Sequence, residues 1–268
     1  MSDNTFRGNA VILTGASSGI GRALAFELAA QGAWLALASR NAAQLEIVAT
    51  ECRARGAQAV VIPTDVSDEA QCRALAEKAS AAFGRIDTLI NNAGISMWAQ
   101  FEEMQTLAPF DEVMRVNYLG SVYCTFYALP YLKQSRGRIV AISSLAGKGG
   151  VPTRSGYAAS KHAMVGFFDT LRIELAETGV TVTIAYPDFV TSEIRERAFG
   201  PDGKPLGVSP VHETEIMTPE TCAHLIAKAA GARKRELIMG RGKLLVWLKL
   251  IAPGLVDRTA RKAIEEGK

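Results

Sequence analysis

The stretch that decides the fold runs Ala10-Val11-Ile12-Leu13-Thr14-Gly15-Ala16-Ser17-Ser18-Gly19-Ile20-Gly21. Its first half is a continuous apolar run, the pattern of a strand covered on both faces. Its second half places glycines at 15, 19 and 21 and leads into the helical pattern Arg22-Ala-Leu-Ala-Phe-Glu-Leu28. Glycine lets the backbone turn sharply and approach a ligand, and the helix that follows offers unpaired N–H groups to an anion. Strand, glycine turn and helix in that order read as a dinucleotide-binding unit, with Gly15, Ser17, Ser18, Gly19, Ile20 and Gly21 as the candidate pyrophosphate contacts. The spacing is GxxxGxG rather than the commoner GxGxxG, so the position between strand and helix carries the weight.

The same rhythm continues along the chain. Apolar strand candidates are Ala10–Thr14, Trp34–Ala38, Ala59–Pro63, Thr88–Asn91, Arg138–Ser143, Val180–Ala185 and Glu236–Met239, with helical patterns near 19–31, 41–55, 68–83, 109–133, 156–178 and 219–230. Repeated strand and helix call for right-handed crossovers and a doubly wound, Rossmann-like parallel sheet of about seven strands in a single α/β domain. Residues 192–218, rich in Pro and Gly, fit a long excursion over a site. Residues 243–264 form a late apolar or amphipathic segment.

The 268 residues are 48% hydrophobic and 21% charged, an ordinary globular composition. Thirty Lys and Arg against 27 Asp and Glu leave a formal charge of +3, which gives no support to a nucleic-acid partner. Cys52, Cys72, Cys124 and Cys222 are far apart, without metal or disulfide-framework spacing, and read as reduced, buried thiols. His162, His212 and His224 make no metal set. The N-terminus lacks a basic and apolar leader, so a cytoplasmic protein is expected.

The second strand ends at Ser39 and Arg40 with no carboxylate at either place. An Asp or Glu there commonly takes ribose hydroxyls of NAD, whereas an Arg neutralises the 2′-phosphate of NADP, so NADP(H) is expected. Arg22 is a weaker candidate for the same charge, since it also suits an open surface. Asp65 has two readings: a contact to the adenine amino group, or a cap on the helix beginning near Asp68. The small residues of Asn91-Asn92-Ala93-Gly94 allow close backbone approach to a cofactor, while their amides tie neighbouring strands together.

Ser143 and Ser144 end the fifth strand, and Tyr157 and Lys161 stand four apart on the next helical pattern. That spacing alone is common in ordinary helices. Strand ends of a doubly wound sheet nevertheless gather ligands on one edge, which brings these groups together. A free tyrosine, with a pKa of about 10, is a poor base near neutrality. A neighbouring ammonium favours its phenolate, so the tyrosine can exchange a proton with an alcohol while a serine hydroxyl holds the substrate oxygen.

Together, TGASSGIG at 14–21, NNAG at 91–94, Asn117 in Asn-Tyr-Leu-Gly, a serine before Leu-Ala-Gly147, and Tyr157-Ala-Ala-Ser-Lys161 resemble the classical short-chain dehydrogenase/reductase family, in its NADP-preferring type. The resemblance covers about residues 8–240. It implies an extended Rossmann domain with seven strands and an NADP(H)-dependent hydride transfer to or from a carbonyl or secondary alcohol. It also selects Ser144, 13 residues before the tyrosine, over Ser143. It gives Asn117 a role in holding a water that leads to Lys161, and Lys161 a second role at the nicotinamide ribose. By the same resemblance Asp65 and Val66 lie at adenine, Asn92, Ala93 and Gly94 beside the cofactor, and Pro187, Phe189, Val190 and Ser192 at the nicotinamide end. One departure stands out: Asp188 occupies the usual glycine position after the sixth strand, putting local cofactor contacts in doubt, and Ser192 replaces the usual threonine.

The acceptor pocket is expected between 95–101, 146–156 and 187–218, with Met97, Trp98, Phe101, Val151 and Phe189 and few fixed charges, fitting an apolar ketone, alcohol or aldehyde. The resemblance implies a homodimer or homotetramer built through the helices near 109–133 and 156–178. Within segment 243–264, the apolar stretch 243–254 is too short and too charged at its ends for a normal span and has three readings: subunit contact, lid, or peripheral membrane contact. Two other function classes compete with the oxidoreductase: a noncatalytic nucleotide-binding scaffold, against which intact Ser144, Tyr157 and Lys161 argue, and an epimerase or dehydratase on a related fold.

Overall fold

Side chains of a strand alternate between faces, and the first strand puts Val11 and Leu13 into one apolar cluster and Ile12 into another. The second strand divides in the same way, Leu35 and Leu37 to one side, Ala36 and Ala38 to the other. A strand apolar on both faces needs a helix layer on each, and the computed structural model, which describes residues 5–210, 216–240 and 242–265, has that arrangement.

The seven strands are β1 (Ala10–Thr14), β2 (Trp34–Ser39), β3 (Gln58–Pro63), β4 (Thr88–Asn91), β5 (Arg138–Ile142), β6 (Thr181–Tyr186) and β7 (Glu236–Ile238). They form one parallel sheet in the order β3-β2-β1-β4-β5-β6-β7. The winding reverses between β1 and β4, which opens a crevice at the carboxyl ends of those strands. Helices α1 (Gly19–Ala30), α2 (Ala42–Ala54) and α7 (Pro219–Gly231) supply Leu24, Leu28, Leu45, Val48 and Ile226 to one face. Helices α3 (Glu69–Phe83), α5 (Gly120–Ser135) and α6 (Ser155–Glu174) supply Leu75, Leu132 and Phe168 to the other.

Two elements differ from the periodicity. The helix expected near 109–133 is α4 (Ala108–Val113) joined to α5 through a π-helical turn, Met114–Leu119. A π turn admits an extra residue into the helix, and such turns cluster at functional positions; this one carries Asn117. The late segment is two helices, α8 (Gly242–Ile251) and α9 (Pro253–Glu265), because Pro253 lacks the N–H that would continue α8 and instead begins the next helix. Of the 192–218 excursion, residues 211–215, with His212, lie outside the described residues. The rest is tied down: Phe199 bridges to Met97, and Val190 to Met217.

Candidate active site

At two positions of the glycine turn, 15 and 21, no side chain larger than hydrogen fits. A Cβ on Gly21 would stand 2.1 Å from the Gly15 carbonyl oxygen, and one on Gly15, at φ +65°, would stand 2.8 Å from the Ala93 Cα. Asn92 locks the turn by donating to the carbonyls of Thr14 (2.9 Å) and Gly15 (3.2 Å), while the Thr14 hydroxyl accepts from the backbone of Asn92 and Ala93. Ala16 N–H donates to the Ala38 carbonyl (3.1 Å), which sets the turn beside the end of β2. Ser18 precedes α1 without a side-chain cap, whereas α2, α3 and α7 are capped by Asn41, Asp68 and Thr218. The first N–H groups of α1 are thus left for an anion, and this cradle fits a dinucleotide pyrophosphate.

Around it stand the other expected cofactor residues. Ser39 keeps its Oγ buried without a hydrogen-bond partner, and Arg40 beside it is exposed. Arg22 is exposed as well. Asp65 does not cap α3, since Asp68 does; its Oδ1 accepts from the Ser67 backbone (2.9 Å) and hydroxyl (2.7 Å) at the end of β3, and Val66 packs under Gly120. Gly94 lies against Asn117 and Lys161, where a Cβ would meet the Lys161 Nζ at 3.6 Å. Ser192 closes over the turn, its Cβ 3.3 Å from where a Cβ of Gly19 would be. Pro187 accepts from Leu145 N–H (3.1 Å), linking the ends of β5 and β6, with Phe189 and Val190 following.

Ser144 follows β5 in extended conformation and accepts from Ala146 N–H (3.2 Å). Ser143 faces away, its hydroxyl donating to the Lys161 carbonyl (3.4 Å). Tyr157 is buried in a cluster with Met97, Ala146 and Ala158. Burial raises its pKa, against the opposing pull of the Arg154 guanidinium and the nearby Ser144 hydroxyl. Lys161, one turn on, is also buried, its Nζ donating to the Ile142 carbonyl (2.9 Å) and lying 5.8 Å from the Tyr157 ring centre. Burial lowers its pKa to about 8. A proton donor and a cation of near-neutral pKa therefore share one buried edge, an arrangement suited to moving a proton.

Asn117 is fully buried. Its side chain accepts from Ile95 N–H (2.8 Å) and donates to the Ile95 carbonyl (3.0 Å) and to the Ser160 hydroxyl (2.9 Å), while its carbonyl accepts from Ser121 (2.7 Å). In this state it fixes the β4 loop against α6. His162 is exposed on α6 and contacts its own helix at Ala158, and His224 pairs with Glu27 on the far face. Among the described residues no cluster able to hold a metal occurs, and all four cysteines are free and buried.

A cavity of about 240 Å³ opens beside Ser144. Val151 and Phe189 line it as the sequence suggests, but Met97 is wholly buried and Phe101 is exposed, edge-on to Phe110. Residues from 145–154 and 187–189 supply one wall, and α8 and α9 supply another through Val246, Lys249, Val256, Thr259 and Ala260. Lys249 Nζ donates to the Lys148 carbonyl (3.1 Å) across the mouth. The outer side of α8 leaves Leu244, Trp247, Leu250 and Ile251 exposed. Asp188 also reaches the cavity, but its Oδ1 accepts from Phe189 N–H (2.9 Å) and its Oδ2 lies against Gly240, where a Cβ would be only 2.5 Å away. Glycine at 240 makes room for the carboxylate at 188.

Sequence reasoning missed Arg154, the first residue before α6. It is 9% exposed, and its guanidinium carbon lies 4.1 Å from the ring centre of Trp98, 5.4 Å from Phe189 and 5.7 Å from Tyr157. The only available signal was an arginine three residues before the tyrosine, and the aromatic rings around it come from three separate parts of the chain.

Similarity to known proteins agrees with this geometry. The family model described as short chain dehydrogenase matches residues 9–201. The 11-beta-hydroxysteroid dehydrogenase A of Sesamum indicum is 37% identical over 93% of this chain and 74% of its own length. The bovine (Bos taurus) dehydrogenase/reductase SDR family member 7B is 36% identical over 98% of this chain and 83% of its own. Among solved structures, a short chain dehydrogenase/reductase from Burkholderia phymatum in complex with NAD superposes with a TM-score of 0.82 at 28% identity, covering 93% of this chain and 95% of that one. An alcohol dehydrogenase from the archaeon Thermococcus sibiricus, complexed with 5-hydroxy-NADP, gives 0.73 at 26% identity, covering 85% and 94%. A glycine turn at the reversal of a seven-stranded parallel sheet, with serine, tyrosine and lysine beside it and relatives alike over nearly the whole chain, places the protein in the short-chain dehydrogenase/reductase family of oxidoreductases.

Proposed function

We propose that the protein is an NADP(H)-dependent oxidoreductase acting on a carbonyl or secondary alcohol of an apolar-bodied substrate, with Tyr157 as general acid and base. The observation that carries the reading is the meeting of Ser144, Tyr157 and Lys161 beside a largely apolar cavity that Ser144 lines. The bound cofactor supplies or accepts a hydride at nicotinamide C4. Ser144 holds the substrate oxygen by hydrogen bond and stabilises the charge that develops there. Tyr157, its proton retained by burial, donates to that oxygen in reduction and withdraws the alcohol proton in oxidation. Lys161 provides the positive charge that makes the phenolate accessible, and α8 and α9 keep water from the reacting carbon. Purified protein should consume NADPH with at least one apolar ketone or aldehyde, or reduce NADP+ with the matching alcohol. Folded protein that binds neither nicotinamide cofactor would sink the reading.

Preference for NADP(H) rests on Arg40, exposed beside the glycine turn, with no carboxylate at 39 or 40. A charge-assisted contact to a phosphate contributes about 1.5–3 kcal/mol. Arg40→Ala should therefore weaken NADPH by about 10- to 100-fold and NADH by less than about threefold in fluorescence titrations. Equal weakening of both removes the 2′-phosphate argument.

Assembly is proposed through α5 and α6, which leave Phe126 (67%) and Ile173 (75%) exposed. The outer side of α8 is the candidate for peripheral membrane contact, since no described helix is long and apolar enough to cross a bilayer. Analytical ultracentrifugation should give a dimer or tetramer, and flotation with vesicles tests α8; a monomer that stays with the buffer phase rejects both.

A further inference from the structure

Besides Ser144, the polar side chains lining the cavity are Lys148, Arg154, Asp188, Lys249 and Thr259, and all but Arg154 bond within the protein. Arg154 lines the cavity, is more than nine-tenths buried, and keeps its Nε without a hydrogen-bond partner. A buried guanidinium normally stands against a carboxylate, because its desolvation is otherwise uncompensated. Among the described residues none lies within ion-pair distance of Arg154; the charges that act on it are Tyr157 and a second arginine, Arg195. Three aromatic faces, Trp98, Phe189 and Tyr157, surround the cation and fix its plane, but ring faces occupy none of its N–H donors. The backbone is also set against its preference here: Thr153, the preceding residue, has φ +66° and is held by Ala99 N–H donating to its carbonyl (2.8 Å).

We propose that Arg154 receives a carboxylate of the substrate, which makes the natural substrate an oxo acid or hydroxy acid with an apolar body. This inference rests on the redox reading for the words oxo and hydroxy, but not for the anion. The fork of a guanidinium matches a carboxylate in two parallel hydrogen bonds. The other ionisable groups lining the cavity leave that role open. Lys148 is paired with Glu236 (2.8 Å), Lys249 reaches the Lys148 carbonyl, and the Asp188 carboxylate is turned onto Phe189 N–H and Gly240. Because the guanidinium carbon lies 5.7 Å from the Tyr157 ring centre, a bound carboxylate would sit a few bonds from the carbon that reacts. A phosphate, with its larger charge, would call for more cations than this pocket directs at one point.

The test compares acids with their esters. Parent protein, Arg154→Met and Arg154→Lys are assayed for NADPH consumption with 2-, 3- and 4-oxooctanoate and the corresponding methyl esters. The parent should favour at least one acid over its ester by about 10-fold or more in kcat/KM, chiefly through KM. Arg154→Met should erase that ratio and Arg154→Lys should keep part of it. An effect of Arg154 on Tyr157 alone lowers acid and ester together and leaves the ratio standing, which overturns the proposal. A second measurement needs no turnover: calorimetry of NADP+-loaded protein with octanoate and with octanamide. Octanoate should bind about 10-fold or more tightly than octanamide to the parent and lose that advantage in Arg154→Met. If this advantage is present but no ketone is ever reduced, the redox reading fails and the anion site stands. If octanoate binds no better than octanamide, the anion site is wrong whatever the turnover.

Discussion

Replacing Tyr157 with Phe is expected to lower turnover by about 10²- to 10⁴-fold, the span a positioned acid or base contributes, and to change cofactor affinity by less than about threefold. The ring itself is part of an apolar cluster with Met97, Ala146 and Ala158, and Phe keeps that packing. Only the hydroxyl is lost, and with it the group that Ser144 and Arg154 influence at the site. Burial raises the tyrosine pKa, so the resting state is the phenol, the form needed to protonate a developing alkoxide. Oxidation of an alcohol needs the phenolate instead, and the buried cations Lys161 and Arg154 are the charges on hand to stabilise it. Single-turnover measurements with saturating cofactor separate this step from binding and product release. Parent-like turnover in Tyr157→Phe would assign the proton to another group.

The glycine turn was readable because its cause is local: a strand, a turn with no room for a Cβ at Gly15 or Gly21, and a helix follow one another within residues 10–30. The strands were equally readable, since β1 and β2 are apolar on both faces and leave no ambiguity of period. Asp65 and Asp68 show where local reasoning reaches its limit. Both are acidic residues near the start of α3, and only the hydrogen bonds distinguish the cap from the one bound to Ser67. The substrate end was less readable for a different reason. Arg154 becomes notable only when Trp98 from the β4 loop and Phe189 from the β6 loop stack on it. The wall made by α8 and α9 depends on a contact between Lys249 and Lys148, about a hundred residues apart in the chain. Pro253 does announce the break between those helices, but not the cavity they cover. Patterns in sequence carry backbone geometry well, whereas pocket chemistry arises from side chains that meet only after folding.

Lys161→Met is expected to lower kcat/KM for ketone reduction by about 10²- to 10³-fold and to remove a pH dependence centred near 8. The ammonium is fully buried with one backbone acceptor, Ile142, and burial brings its pKa from the usual 10.5 to about 8. Reduction needs Tyr157 protonated beside a charged Lys161, so the parent rate should be level below pH 8 and fall above it. The same shift has a consequence for stability, whose sign is opposite to that of a favourable ion pair. The native state releases this proton near pH 8, whereas the unfolded chain keeps it until about 10.5. Between those values the unfolded state binds more protons, so this group's contribution to stability rises with pH, by at most about 3 kcal/mol. Below pH 8 both states are charged and the burial penalty is complete. Methionine carries no proton, so the unfolding free energy of Lys161→Met should lack that rise between pH 8 and 10.5. The two readouts constrain each other: activity lost without a change in the stability slope would mean that folded Lys161 keeps its proton up to about 10.5, as the unfolded chain does, and the fall in rate above pH 8 would then belong to another group.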